Sequence, residues 1–271
     1  MNKSLGLIAG NGAFPILLAQ EARKRGDQVI VAALKEEADP IIEKHADHVT
    51  WLSIGQLGKI ISFFHEHAVT HAVMAGQVKH TQLFKNIIPD LRAAKVLAKA
   101  VNKKAESILS LVIQEFEHDG IQFIPSTTYL EHWLCPEGVL TQRRLSSEQE
   151  ADIAFGTPLA RALAGQDIGQ TIVVKDKSVI AVEAMEGTDA CIRRAGEIAG
   201  PGCVVIKVAR PRQDLRFDVP VVGLRTIQSV VQSGARVLAL EAGKTLLLDK
   251  DTLIKEADAS QLVITGLQIQ G

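Results

Sequence analysis

The chain carries almost no excess of charge: 30 Lys and Arg against 31 Asp and Glu leave a formal net charge of -1. Sequence-independent binding to a nucleic-acid backbone needs a broad basic surface, so no nucleic-acid partner is expected. A local basic pocket for a small phosphorylated molecule stays open. Cysteine is scarce. Cys135, Cys191 and Cys203 are odd in number, far apart and free of any C-x-x-C pair. That excludes a disulfide framework and a zinc knuckle and fits a reducing cytoplasm. Long apolar runs are missing too. The run at 5–9 is broken at once by Gly10 and Gly12, too short for a signal-peptide core or a bilayer span. The expected location is therefore cytoplasmic. Histidine pairs suited to zinc are also lacking, since His65 and His67 lie two apart on a predicted helix and face different ways.

What is present is ordinary globular material: 271 residues, 46% hydrophobic and 23% charged, enough for one large core or two modest ones. The first half alternates strands and helices. Strands are predicted at 5–9, 28–34, 48–54 and 70–75, and helices at 14–25, after Asp39-Pro40, and at 55–67. This rhythm predicts an α/β fold with a parallel, Rossmann-like N-terminal sheet over residues 1–130. Two helices at 89–100 and 105–119 and a strand at 121–124 close that domain. Residues 131–146, with Pro136 and Gly138 and little periodicity, read as a linker. Residues 147–271 read as a C-terminal mixed α/β domain, with a hairpin turning at Asp176-Lys177.

Three places can carry chemistry. The first is the turn Gly10-Asn11-Gly12-Ala13-Phe14-Pro15, set between a buried strand and a helix. Glycines there let a ligand approach, while N–H groups and the helix dipole favour a phosphate. A tight turn that binds nothing is the competing reading. The third glycine of a dinucleotide fingerprint is replaced by Pro15, and only Glu36 and Glu37 follow the second strand. An NAD(P)-dependent Rossmann oxidoreductase is accordingly the runner-up. Gly55-Gln56-Leu57-Gly58-Lys59 does not match a P-loop.

The second place is Glu183-Ala184-Met185-Glu186-Gly187-Thr188-Asp189, at a strand end entering a helix. Thr188 is the expected N-cap and Asp189 falls in the first turn. Beyond capping, two or three carboxylate oxygens beside a glycine can hold Mg²⁺ or Mn²⁺, and the ion can hold phosphates. The third place is the charged loop at 207–220, with Lys207, Arg210, Arg212 and Arg216 around Asp214 and Asp218. Asp218 opens an apolar strand, where an acid surrounded by arginines suits metal binding or activation of water for attack on phosphorus.

The ordered set of motifs at 5–15, 55–59, 75–78, 167–170, 182–189 and 218–220 resembles the UDP-2,3-diacylglucosamine pyrophosphatases of lipid A biosynthesis. These belong to the metal-dependent class unrelated to calcineurin-like phosphoesterases. The resemblance spans nearly the whole chain. It implies two domains with the active site in a cleft between them, a diacylated UDP-sugar as substrate and a requirement for Mg²⁺, with Mn²⁺ as a substitute. The expected products are UMP and 2,3-diacylglucosamine 1-phosphate. Asp218 matches the family's essential aspartate, and Thr188 and Asp189 fall in a motif that looks like its substrate and metal site. Asp218 and Asp189 are thus the candidate catalytic and metal-binding residues. Gly10, Asn11, Gly12, Gly76, Glu186, Thr188, Lys207 and Arg210 are the candidate substrate contacts. The family usually has glycine at Asn11, and asparagine tolerates left-handed geometry. The two acyl chains imply an apolar wall, for which Leu83, Phe84, Ile87 and Ile88 compete with plain core packing. They also imply transient contact with the inner membrane surface, and a homodimer is compatible with the chain. A non-catalytic sensor of a UDP-sugar or glycolipid is the third reading.

Overall fold

The computed structural model describes residues 3–78, 88–100, 105–211 and 213–269. The chain divides into two compact units. One comprises Met1–Leu130 with Leu215–Phe217, the other Glu131–Asp214 with Asp218–Gly271.

The first unit is built on five parallel strands: β1 (Ser4–Ala9), β2 (Gln28–Leu34), β3 (His48–Leu52), β4 (His71–Ala75) and β5 (Gln122–Phe123). Their order is β3-β2-β1-β4-β5. β1 and β2 are apolar on both faces because helices cover both sides, which is why they read as unbroken hydrophobic runs. Helix α1 (Phe14–Lys24) starts with Pro15 in its first turn, where the missing donor costs nothing. Helix α2 (Leu57–Glu66) turns Leu57, Ile60, Ile61 and Phe64 into the core at the i, i+3, i+4, i+7 spacing of one face. Asp90 serves two helix N-termini at once: its carboxylate accepts from Gly58 N (2.7 Å) and from Ala93 N (2.9 Å), the latter in α3 (Leu91–Lys99). Helix α4 (Ala105–His118) delivers Phe116 edge-on to Phe123, with ring centroids 5.1 Å apart.

A short piece from far along the chain completes this unit. Ser126 N donates to Leu215 O (3.0 Å), and Ser126 Oγ lies 2.7 Å from Met74 O and 3.1 Å from Arg216 O. Phe217 packs against the same apolar cluster as Phe64 and Phe116.

The second unit holds a six-stranded mixed sheet of β6 (Gly138–Val139), β7 (Thr171–Lys175), β8 (Ser178–Val182), β9 (Val204–Lys207), β11 (Val237–Glu241) and β13 (Val263–Leu267). A separate parallel pair joins β10 (Val221–Val222) to β12 (Leu246–Leu247). The sheet order is β6-β13-β11-β9-β7-β8. The β7–β8 hairpin turns where expected, with both Asp176 and Lys177 at positive φ (51° and 53°). That is the strained pair a two-residue hairpin turn demands. The buried Asp152 carboxylate holds it by accepting from both turn amides, at 3.1 and 2.7 Å.

Side chains alternate across this sheet. Val204, Ile206, Ile172 and Val174 face helix α5 (Ser147–Gly165). Val205, Val173, Leu238 and Leu240 face helices α6 (Thr188–Ala199), α7 (Leu224–Gln232) and α8 (Lys250–Ala259). Residues 131–146, read above as a linker, contain β6, whose Val139 pairs with Thr265, and belong to the second unit. A two-residue edge strand has no periodicity to detect, so composition alone left this stretch unassigned.

Candidate active site

β9 ends at Lys207, directly across from Thr171 at the start of β7. Paired residues share a face, and Val205 and Val173 put that face under α6. A lysine is thereby carried into the sheet–helix layer, where it is only 8% exposed. Its Nζ donates to Thr188 Oγ1 at 2.8 Å. The Thr188 hydroxyl in turn donates to Glu183 Oε1 at 2.9 Å, and Thr171 Oγ1 lies 3.5 Å from it. Burial pushes the Lys207 ammonium below the usual lysine range, opposed by the charges of Glu183, Asp189 and Asp218. The charges of three carboxylates therefore act on one buried cation.

This changes the role expected for Thr188. The N-cap of α6 is Gly187, at φ +82°, which has no side chain to cap the helix. Only glycine takes that backbone angle without strain, and it releases the threonine hydroxyl for the Lys207–Glu183 chain. Gly169 has a comparable packing reason: a Cβ there would lie 2.0 Å from Glu183 O.

Asp218 belongs to a second polar group in the same unit. Arg210 bridges two acids, with Nη1 3.0 Å from Asp218 Oδ2 and Nε 3.0 Å from Asp167 Oδ1. The Arg210 backbone N–H and Gln170 Nε2 both donate to Gln213 Oε1, at 2.9 and 3.0 Å. Burial raises the Asp218 carboxyl above its ordinary range even though Arg210, Gln213 and Lys207 pull the other way. A carboxylate that is more basic than usual and faces cations suits proton acceptance near an anionic substrate.

Of the residues expected from sequence, Thr188, Asp189, Lys207, Arg210 and Asp218 thus lie in one electrostatically coupled group of the second unit. Glu186 is turned elsewhere, to Arg194 Nη2 (2.7 Å) and Ala184 N (3.0 Å). Arg212 lies outside the described residues. Sequence reasoning assigned no role to Asp167, Gln170 or Gln213, and left Glu183 as one acid of a cluster. Nothing in their local pattern separates them from solvated loop residues.

Gly10, Asn11, Gly12 and Gly76 gather in the first unit, at the ends of the adjacent strands β1 and β4, where the strand order reverses. In open α/β sheets this switch point is where ligands bind. Here the two loops are stitched together: Gly10 N donates to Ala75 O (2.8 Å), Asn11 N to Gln77 O (2.8 Å) and Gln77 N to Asn11 O (2.9 Å). A Cβ on Gly76 would come within 2.7 Å of Asn11 O and Gly10 C, and one on Gly10 within 2.7 Å of Gln77 O. These two glycines permit backbone contact, and two of the turn's amides are already used. Gly12 differs: it sits at φ +98° with open space where a Cβ would be. Asn11 has no positive φ, so its fit does not depend on left-handed tolerance, and its side-chain amide lies 3.4 Å from Glu37 Oε2.

Ile88 is 90% exposed and its near neighbour Leu91 92%, so Ile88 is not a core residue; Leu83, Phe84 and Ile87 lie outside the described residues. The cysteines are buried, and burial pushes Cys135 up to about 11 and Cys191 up to about 12, values that suit packing rather than nucleophilic attack. No helix among the described residues is long and apolar enough to cross a membrane.

Comparison with known proteins covers both units. Residues 4–133 match the LpxI N-terminal domain and residues 136–265 the LpxI C-terminal domain. The chain is 33% identical over 281 residues to the UDP-2,3-diacylglucosamine pyrophosphatase LpxI of Caulobacter vibrioides (strain ATCC 19089 / CIP 103742 / CB 15), covering 99% of each sequence. With both domains matched in order along its length, the chain belongs to the LpxI family.

Proposed function

We propose that this protein hydrolyses the pyrophosphate bond of UDP-2,3-diacylglucosamine, giving UMP and 2,3-diacylglucosamine 1-phosphate for lipid A biosynthesis. The observation that carries the chemistry is the Asp218–Arg210 ion pair of the second unit together with the buried Lys207 ammonium held by Thr188. The substrate class rests on the full-length relative of that name. In the reaction, water oxygen bonds to one phosphorus and the bond from that phosphorus to the bridging oxygen breaks. Asp218 takes the proton that water releases. Lys207 and Arg210 offset the charge that grows on the phosphoryl oxygens.

Mg²⁺ belongs to the same proposal. Among the described residues no three His, Cys, Asp or Glu side chains form a closed metal cage. Asp189 and Asp218 both act on Lys207 from nearby, and Mg²⁺ is often held by one or two carboxylates with substrate phosphates completing its shell. The donor set fits that shared mode, with Asp189 and Asp218 as the residues that would hold the ion. When bound, the ion would withdraw charge from the phosphates and favour displacement.

The turn in the first unit by itself suits a phosphate from Gly12 onward into the start of α1, since the Gly10 and Asn11 amides are already hydrogen-bonded. Ile88 and Leu91 offer exposed apolar surface for acyl chains, and the same surface supports transient membrane contact. The test is direct. Purified protein should release UMP from the diacylated substrate with Mg²⁺ and stop when EDTA is added. Intact substrate bound stoichiometrically without turnover in Mg²⁺ or Mn²⁺ would instead make the protein a sensor.

A further inference from the structure

Glu183 is not accounted for by the residues placed in the reaction above. It follows β8, and its backbone N–H donates to Thr171 O (2.9 Å), which pins it beside the start of β7. One carboxylate oxygen accepts the Thr188 hydroxyl hydrogen. The other, Oε2, is buried without a hydrogen-bond partner among the described residues. A buried carboxylate oxygen in that state is costly, and native folds keep few of them. Gly169 supports the arrangement from behind, since any side chain there would collide with the Glu183 backbone.

The direction of the hydrogen bonds explains the arrangement. A threonine hydroxyl has one hydrogen, and here it points to Glu183. Towards Lys207 the same oxygen can therefore only accept, and it takes one of the three ammonium hydrogens at 2.8 Å. We propose that Glu183 is a positioning residue for the reaction: through Thr188 it fixes the orientation of the Lys207 ammonium, so that its remaining hydrogens are presented to a phosphoryl oxygen of the substrate. This rests on the pyrophosphatase reading only for the identity of the anion. The charge of Glu183 is also the largest of those that favour the cationic form of Lys207, so the carboxylate supports the ammonium electrostatically as well as geometrically.

The test uses the full chain with Glu183→Gln, Thr188→Val and the double variant. UMP release from the diacylated substrate is followed at saturating Mg²⁺, alongside ¹H–¹⁵N spectra of the lysine ammonium groups. A buried, hydrogen-bonded ammonium exchanges slowly with water and should give a resolved signal for Lys207, assigned by its absence in Lys207→Met. Glu183→Gln should lower kcat about a hundredfold, with KM changed little, and should broaden or remove that signal. In the Thr188→Val background Glu183→Gln should cost nothing further, because the two act in series.

A multiplicative loss in the double variant, or unchanged kcat with an unmoved Lys207 signal in Glu183→Gln, would overturn the proposal. Thermal unfolding of the near-isosteric Glu183→Gln protein separates misfolding from mispositioning; a collapsed midpoint with unfolded spectra would make the role structural and also overturn it. If the wild type releases no UMP but the Lys207 signal still depends on Glu183, the positioning stands and the pyrophosphatase reading fails. If the wild type turns over and Glu183→Gln matches it, the reverse holds.

Discussion

The β1–β4 junction of the first unit and the end of β9 in the second place opposite demands on their residues. At the first, glycines allow main chain to meet main chain: Gly10 N–H donates to Ala75 O, and the backbone groups of Asn11 and Gln77 satisfy each other. At the second, the Lys207 ammonium is buried and the Asp218 and Arg210 side chains are half-buried. Lys207 is pushed towards neutrality and Asp218 towards protonation. One junction is optimised for stability. The other is held away from its most stable composition, the usual condition of a group that must exchange protons or bind charge.

Substitutions at the two places should therefore separate stability from activity. The largest effect is expected for Asp218→Asn, which should reduce UMP release about a thousandfold, as loss of a positioned general base does. It should also raise the thermal midpoint at neutral pH. Because the folded pKa of Asp218 lies above its unfolded value, ionisation opposes folding, and that penalty is complete above the folded pKa. An unchanged or lower midpoint would break the comparison. Next, Lys207→Met should lower kcat/KM about a hundredfold, the usual cost of one preorganised electrostatic contact.

The pH dependence of kcat/KM sharpens the same contrast. The acid limb should fall as protonation of Asp218 removes both the base and a carboxylate that would hold the ion. The alkaline limb should begin below the ordinary lysine range, as Lys207 loses its charge. A flat profile across both regions would remove both residues from the reacting group. In the first unit, Gly76→Ala should cost roughly 3 kcal/mol in denaturant unfolding, since the new Cβ meets backbone that cannot yield. The smallest effect is expected for Gly12→Ala: about 1 kcal/mol for the positive φ, with no collision. It should raise KM for the diacylated substrate, and an unchanged KM would withdraw the turn from substrate binding.

Much of the fold could be read from the chain because its strands are buried on both faces and its helices carry one apolar stripe. The strand at 28–34 and the hairpin at Asp176-Lys177 fall where periodicity and turn chemistry put them. Less was legible where a residue's role depends on a distant neighbour. Thr188 has the sequence context of an N-cap, yet its hydroxyl serves Lys207 and Glu183, which only the β7–β9 pairing brings close. Gly10 and Gly76 look like ligand-binding glycines until the Asn11–Gln77 bridge is seen. Sequence spacing does not distinguish a turn that receives a phosphate from one that receives another loop. The coupling of Lys207 to three acids was equally hidden, because those acids are spread from 183 to 218.

The residues Leu215–Phe217 carry a consequence for the order of synthesis. They supply the Leu215 carbonyl to Ser126 and the Phe217 ring to the first unit's core, yet they follow more than half of the second unit along the chain. A ribosome must therefore release β7, β8 and β9 before the first unit can bury its last aromatic side chain. A protein cut after Leu130 would present that vacant apolar seat to solvent. The two units are successive in sequence but cannot be completed in succession.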